Sequence, residues 1–444
     1  MINKVLIANR GEIAVRIIRA CRELGIETVA VYSDVDHSAL HTQLADEAIC
    51  IGPAASKDSY LNMEQIISAT LLMGADAIHP GFGFLSENDK FAAMCEECNI
   101  QFIGPSSKIL HQMGNKSEAK KMMIAAHIPV IPGSPEPVKE MADGLAIAKA
   151  IGFPVIIKAA LGGGGKGMRI ANTADEFKNS FNAAQKETEM AFDDTTMYVE
   201  RYIRNPRHIE FQILGDQQGH IIHLGERDCT IQRNHQKLIE ESPCPILSDS
   251  LRQKMGETAI RAAKAVHYYN AGTVEFLLEP DGQFYFMEMN TRIQVEHPVT
   301  EWVTNIDLVK AQLRIASGLP LIYTQDDVKL QGHAIECRIN AETPEKNFRP
   351  SPGTITNLYM PGGKGVRIDS AIYSGYTITP YYDSMLAKLI VLGKNRDEAI
   401  AKMRAVLGEV IIEGIDTNID YQYRILNQPD FVEGADLSNV LKNL

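Results

Sequence analysis

The chain has 444 residues, of which 45% are hydrophobic and 23% charged. At about 150 residues per domain this suggests three domains, with a core that needs no disulfide or metal staple. Lys plus Arg number 44 against 56 Asp plus Glu, a net charge of −12. That balance argues against general nucleic-acid binding but leaves room for a local basic pocket that takes a small anion. No apolar run approaches about 18 residues, so no membrane span is expected. The seven scattered cysteines fit a reducing cytosol better than a disulfide framework.

In chain order, residues 4–8 read as a buried strand, Glu12 to Leu24 as a helix and residues 27–32 as a second strand. Ile13, Ile17 and Leu24 fall on one stripe of that helix, Arg16, Arg19 and Glu23 on another. A βαβ unit builds parallel sheet, and strand-like runs near Ala77 and Phe102 continue it to about residue 105. The first turn, Asn9-Arg-Gly11-Glu-Ile-Ala14, lacks the second and third glycines of a dinucleotide-binding fingerprint, which argues against nicotinamide binding. Cys95 and Cys98 form a C-x-x-C within a helix-like stretch and read as ordinary helix cysteines, because no second pair completes a zinc site. Pro129, Pro132, Gly133, Pro135 and Pro137 mark a linker or domain edge.

Next comes strand-like Phe153 to Ala159, then Gly162-Gly-Gly-Gly-Lys166-Gly167 between Lys158 and Met168. Four successive glycines expose backbone N–H groups that can fold over phosphates, with the lysines supplying charge. Gly162 and Gly167 have P-loop spacing, but Met168 and Arg169 stand where Lys-Ser/Thr should follow, so a mobile hairpin is expected instead. From about residue 204 longer mixed segments run to the C-terminus. The stretch from Glu226 to Lys237 is dense in hydrogen-bonding groups, and His235 and Lys237 would share a face if it is extended.

Apolar runs flank Asp281-Gly282, a hairpin signal. A turn centred on that pair sets Pro280 opposite Gln283 and Glu275 opposite Glu288, with Asn290 on the Glu288 face. Facing carboxylates repel, so a hard divalent cation between them is expected, and carboxylates plus an amide oxygen suit magnesium. If the following segment is extended, Arg292, Gln294 and Glu296 point one way, and a guanidinium beside a carboxylate could hold and deprotonate a small oxyanion. Arg338 lies in an alternating strand, where on its own it reads as a surface arginine.

Taken together these motifs resemble biotin carboxylase, the ATP-grasp component of biotin-dependent carboxylases. The likeness runs from Lys4-Val-Leu-Ile-Ala-Asn-Arg-Gly-Glu-Ile-Ala14 and His79-Pro-Gly-Phe-Gly-Phe-Leu-Ser-Glu-Asn88 through the glycine loop, Arg233-Asn-His-Gln-Lys237 and Met287-Glu-Met-Asn-Thr-Arg-Ile-Gln-Val-Glu-His297. It continues to Arg349-Pro-Ser-Pro-Gly353 and Tyr381-Tyr-Asp-Ser-Met385, almost the whole chain. It implies an α/β and α+β architecture of three parts: an N-terminal parallel-sheet domain over 1–115, a mobile glycine-rich lid over 130–203, and an ATP-grasp core with a C-terminal mixed domain over 204–444.

The resemblance also implies roles. Lys116, Lys158, His208 and His235 look like ATP ligands. Glu200, Arg201, Tyr202 and Ile203 look like the hinge that holds adenine, with Gly164 and Gly165 in the lid. Glu275, Glu288 and Asn290 look like ligands of Mg2+ (or Mn2+). Lys237, Arg292, Gln294 and Val295 look like the bicarbonate site, Glu296 like the general base and Arg338 like the residue that stabilises the biotin enolate. The lid has Lys166 where many relatives carry Arg, which keeps the charge.

The implied activity is ATP- and bicarbonate-dependent carboxylation of biotin through carboxyphosphate, the first half-reaction of acetyl-CoA carboxylase in fatty acid synthesis. The string nearest to a biotinylation Met-Lys-Met is Glu118-Ala-Lys-Lys-Met-Met123, in a helix-like stretch, so biotin is expected on a separate biotin carboxyl carrier protein. Carboxyltransferase subunits, a homodimer with Arg16, Arg19 and Glu23 at its interface, and a cytoplasmic location complete the expectation.

Overall fold

The computed structural model describes residues 1–159, 168–192, 195–234, 236–434, 437 and 440–441. Its contacts divide the chain into two compact units. The larger comprises Met1–Asn115, Arg207–Glu275 and Glu288–Leu444; the smaller comprises Lys116–Pro206 and Phe276–Met287.

The larger unit opens with five strands, β1 (Lys4–Ile7), β2 (Glu27–Ser33), β3 (Glu47–Gly52), β4 (Ala77–His79) and β5 (Gln101–Phe102). They form a sheet in the order β3-β2-β1-β4-β5 with every pairing parallel. The parallel sheet expected of the N-terminal segment is therefore present, and it takes its cue from short apolar strands bounded by helices. The first helix, Gly11–Glu23, buries Ile13 and Ile17 against Leu214, Ile222, Leu308 and Val309. Leu24 stands just beyond the helix at 38% exposure, because the C-cap turns it out of the stripe. Arg16, which shares a polar stripe with Arg19 and Glu23, is buried in ion pairs with Glu301 (2.9 Å) and Asp307 (2.8 Å). Arg19 and Glu23 are exposed. Asn88 and Asp307 cap the helices Asp89–Glu97 and Leu308–Ala316 through their side-chain oxygens. Cys95 is a buried helix residue, as its sequence setting suggested.

In the smaller unit, β6 (Val155–Ala159) lies between β7 (Arg169–Ala171) and β8 (Met197–Arg201), antiparallel to both. Helices Met141–Ile151 and Ala174–Phe192 accompany this sheet, whose core includes Phe177, Phe181, Val155, Ile157 and Val199. The strands on both sides of the glycine run thus pair as a hairpin, while Gly162 to Gly167 lie outside the described residues. The proline-rich segment runs along β8: Gly133 bridges Glu200 and Val138 bridges Met197. A Cβ on Gly133 would meet the Val199 carbonyl oxygen at 2.7 Å, which explains a glycine there.

The remaining strands are β9 (Arg207–Gly215), β10 (Ile221–Arg233), β11 (Gln236–Ser242), β12 (Asn270–Leu278), β13 (Phe284–Asn290), β14 (His333–Asn340), the short β15 (Glu342–Thr343), β16 (Arg349–Pro350), β17 (Gly353–Thr354) and β18 (Asn357–Tyr359), β19 (Val366–Ser370), β20 (Thr377–Ile378), β21 (Met385–Gly393) and β22 (Ile411–Glu413). The order β13-β12-β9-β10-β11-β14-β21-β19 makes an eight-stranded sheet, antiparallel from β9 through β19. Helix Arg396–Glu409 covers one side of its β21 end through Ile400, Met403 and Leu407.

One local expectation is corrected. At the hairpin, the Glu279 N–H donates to the Gln283 carbonyl at 2.8 Å and the Gly282 N–H to the Glu279 carbonyl at 3.0 Å. Pro280 and Asp281 occupy a type I turn and Gly282, at φ +86°, adds a bulge. At the turn the register moves by one residue, Glu279 standing opposite Gln283 where Pro280 was expected to. Glu275 is buried and Glu288 exposed. Where β10 passes to β11, Arg233 pairs with Gln236 and Asn234 takes φ +50°. His235, expected to share a face with Lys237, lies outside the described residues.

Candidate active site

Strand β9 sends His208, Glu210 and Gln212 to one face by simple alternation. Glu210 anchors the site. One of its oxygens accepts from Arg227 Nε at 2.5 Å and the other from Lys237 Nζ at 2.6 Å. Arg227, with no exposed side chain, spends its remaining donors on Gln212, Thr300, Thr273 and Gln294. A fully satisfied buried guanidinium fixes its partners in one arrangement, because any loss leaves a charge unpaired in low dielectric.

Lys237, on β11, ends among three carboxylates: Glu210, Glu296 at 2.6 Å and Glu275 at 3.3 Å. Glu296 is itself held from two sides, its second oxygen accepting from Arg338 Nη2 at 2.9 Å. Arg338, from β14, also donates through Nε to Glu240 at 2.6 Å. Far from being a surface arginine, it is braced by two carboxylates. Glu275 receives Asn290 Nδ2 and Gln294 Nε2, each at 2.7 Å, and lies 2.7 Å from His208 Nε2.

Residues 291–296 are not an extended strand but a bend and turn before helix His297–Thr304. Gln294 and Glu296 turn inward and are buried, whereas Arg292 reaches sideways to Asn290 Oδ1 (3.0 Å) and Glu87 (2.9 Å). The Val295 carbonyl accepts from Lys388 Nζ at 2.9 Å.

This arrangement sets the protonation states. Burial alone would push the Glu296 carboxyl up. Lys237, Arg338 and Arg227 more than reverse this and hold it well below the usual carboxylate range. Glu275 is likewise held low by Lys237 and His208 against the effect of burial. The His208 imidazole, pulled down by burial, is carried above its ordinary value by Glu275. Burial dominates at Glu240, whose carboxyl is pushed up to about 7 despite Arg338. The cluster therefore presents ionised carboxylates whose counter-charges are cationic side chains, and an entering anion can take those cations over.

Glu275 and Glu288 bring carboxylate oxygens, the donor chemistry of a hard divalent ion, and so fit Mg2+. Asn290 turns its Nδ2 to Glu275 and its Oδ1 to the guanidinium of Arg292.

The smaller unit holds a second group of expected residues. Lys158 of β6 and Lys120, from helix Lys116–Ala125, both donate to Glu200 of β8, at 2.8 Å and 2.9 Å. Lys116 is exposed at the start of that helix. Arg201 pairs with Glu279 and donates to the Tyr285 hydroxyl at 2.9 Å. The Tyr202 N–H donates to the Pro154 carbonyl, and Ile203 packs with Ile131 and Tyr285. Gly164 and Gly165 lie outside the described residues.

Sequence reasoning missed Glu210, Arg227, Glu240, Glu87 and Lys120. Glu210 was within reach, since His208, Glu210 and Gln212 alternate with apolar residues in an otherwise core-like strand. Arg227 carried no such signal, because its five partners come from β9, β12, residue 294 and helix His297–Thr304.

Comparison with known proteins places this geometry. Residues 1–110 match the family described as biotin carboxylase, N-terminal domain, and 336–443 the biotin carboxylase C-terminal domain. Residues 115–324 match the carbamoyl-phosphate synthase L chain, ATP binding domain. Biotin carboxylase 1 of Bacillus subtilis is 58% identical over 98% of this chain and 97% of its own length. The chain belongs to the biotin carboxylase family.

Biotin carboxylase relatives serve more than one parent enzyme. A pyruvate carboxylase subunit of Methanothermobacter thermautotrophicus is 52% identical over 98% of this chain and 88% of its own. Among solved structures, the biotin carboxylase domain dimer of the Hydrogenobacter thermophilus 2-oxoglutarate carboxylase, in complex with MgADP, ADP and bicarbonate, superposes with a TM-score of 0.93. It is 49% identical and is covered over 98% of its length by all of this chain. The ATP-grasp architecture expected of a biotin carboxylase follows from these matches, and the chain is an ATP-dependent carboxylase. Among the described residues no helix is long and apolar enough to cross a membrane.

Proposed function

We propose that this chain carboxylates biotin borne on a separate carrier protein, at the expense of ATP and with bicarbonate as carbon source. The observation that carries the reading is the Glu296 carboxylate, buried and clamped between Lys237 and Arg338. Such a group stays ionised at neutral pH and can accept a proton when an anion takes its cations.

The proposed assignments are these. Lys116, Lys158, His208 and His235, with Glu200 to Ile203 and the lid glycines Gly164 and Gly165, handle ATP. Residues 130–203 act as the lid, between an N-terminal domain over 1–115 and a core over 204–444. Mg2+ would be held by Glu275, Glu288 and Asn290 and would supply neutralising charge at the phosphates. Lys237, Arg292, Gln294 and Val295 bind bicarbonate. Glu296 removes the bicarbonate proton as its oxygen attacks the γ-phosphorus and ADP leaves, giving carboxyphosphate. This breaks down to carbon dioxide and phosphate. Phosphate takes the biotin N1′ proton, the nitrogen attacks carbon dioxide, and Arg338 offsets the charge on the ureido oxygen. Lid closure keeps water from the unstable intermediate.

Acetyl-CoA carboxylase is the proposed parent system, with carboxyltransferase subunits as further partners. The chain is proposed to act as a homodimer, a state described for the 2-oxoglutarate carboxylase domain. A pyruvate-carboxylating system is the second reading, favoured by the archaeal relative. All seven cysteines are free thiols, in keeping with a reducing, cytoplasmic setting. The deciding assay is ATP turnover with bicarbonate and free biotin. Stimulation by both together is expected; turnover stimulated instead by an amine would select another ATP-grasp ligase. Reconstitution with carrier and transferase, offering acetyl-CoA or pyruvate, then separates the two parents.

A further inference from the structure

Beneath residues 291–296 the large sheet carries a charged row. The antiparallel registers set Arg338 of β14 opposite Lys388 of β21, and Lys388 opposite Asp369 of β19. Cross-strand partners share a face, so the three side chains rise on the same side. Arg338 is accounted for by Glu296 and Glu240, and Asp369 by a two-point pair with Arg367. Lys388 remains.

Its side chain is completely buried. The ammonium lies 3.0 Å from Glu12 Oε1 and 3.8 Å from Asp369. Neither Glu12 oxygen has an aligned hydrogen bond among the described residues. The ammonium's hydrogen bond goes to the Val295 carbonyl, at 2.9 Å. A buried ammonium is costly and an apolar side chain would fill the same space more cheaply, so its retention asks for a use. Its acceptor supplies one: that carbonyl belongs to the peptide that joins Val295 to Glu296. A trans peptide is planar, with its C=O and N–H on opposite edges. Pinning the carbonyl to a strand paired on both sides therefore fixes the direction in which the Glu296 N–H and Cα leave the turn.

We propose that Lys388 is a positioning residue for the reaction, holding the Val295–Glu296 peptide so that the Glu296 carboxylate falls between Lys237 and Arg338. The proposal rests on the function put forward above. It assigns Lys388 no contact with substrate. Its work is to remove the freedom of a turn that otherwise ends in an unrestrained carbonyl.

The test is steady-state ATP cleavage by the full chain with ATP and bicarbonate varied separately. Wild-type turnover that needs bicarbonate upholds the functional reading whatever Lys388 does; turnover indifferent to bicarbonate overturns both. For Lys388→Met the expected result is a bicarbonate KM raised at least about tenfold, with the ATP KM within about twofold of wild type. Glu12→Gln, which spares the Val295 bond, should leave both within about twofold. Equal rises in both KM values, no change in either, or a Glu12→Gln profile matching Lys388→Met would overturn the proposal. If Lys388→Met does not fold, the double variant Glu12→Met with Lys388→Met decides. It removes the ammonium together with its nearest carboxylate, a change that proteins tolerate better than a lone unpaired charge. The same bicarbonate-selective rise supports the proposal, and a wild-type bicarbonate KM in the folded double variant refutes it.

Discussion

Glu296 and Glu200 are each held between two cations, yet the two clamps are built differently. Around Glu296 the carboxylate is 2% exposed, Lys237 13% and Arg338 16%, and each cation has a further carboxylate behind it. Around Glu200 the carboxylate is 15% exposed and Lys158 36%, and the lysines come from a helix and a strand end. The first clamp is preorganised: its charges are desolvated before any ligand arrives, and their positions are set by groups that cannot turn away. The second keeps water close, so its lysines can exchange one anionic partner for another at little cost. Chemistry that develops charge needs the first kind, and binding and release need the second.

The largest effect should come from the buried clamp. Glu296→Ala should lower bicarbonate-dependent ATP cleavage by about 10²–10⁴-fold while ATP binding persists, the range for losing a general base. Full retention of cleavage would remove the base assignment. Arg338→Ala should hurt biotin carboxylation more than ATP binding, and equal losses would count against its role.

Stability probes the same contrast. Arg227→Met should destabilise by roughly 3–5 kcal/mol, read as a lower urea midpoint, because Glu210 then loses a fully buried partner. The pH dependence has a definite sign at Glu240. Its folded value, about 7, lies above the ordinary 4.5. The folded chain binds the proton more tightly, so this group's contribution is complete below about 4.5 and is lost as pH rises to about 7. Glu240→Gln should flatten that part of the stability profile; an unchanged slope would show that burial does not dominate there. The smallest effect belongs to the half-buried clamp. Glu200→Gln should change stability by less than about 1 kcal/mol, since screened pairs contribute little. A larger loss would erase the distinction drawn between the two.

What was legible in the sequence follows the reach of the interactions. The parallel sheet was readable because strand and helix periods are written locally: Val5, Leu6 and Ile7 are followed by Ile13 and Ile17. The tetraglycine hairpin was readable for the same reason. The register at the Asp281-Gly282 turn differs by one residue because Pro280 enters the turn and Gly282 follows it at φ +86°, a choice that composition around Asp-Gly does not dictate. The partners of Arg16 were not legible, because its stripe on the helix is polar in sequence and meets Glu301 and Asp307, nearly three hundred residues away. Glu296, Lys237 and Arg338 were named from family likeness. Their convergence depends on Glu210, Arg227 and Glu240, which only the folded sheet brings together.

One contact bears on how such a chain can be recombined. Glu87, in the segment that matches the N-terminal family domain, accepts from the Thr291 N–H at 3.1 Å and from Arg292 Nε at 2.9 Å. The outer edge of the loop at 291–296 is thus fastened by a residue from a different module of the chain. A chimera that swaps residues 1–110 for those of a relative also swaps this fastening. Its success should track whether the donor brings a carboxylate of the same reach to that position, more than how alike the two N-terminal sheets are.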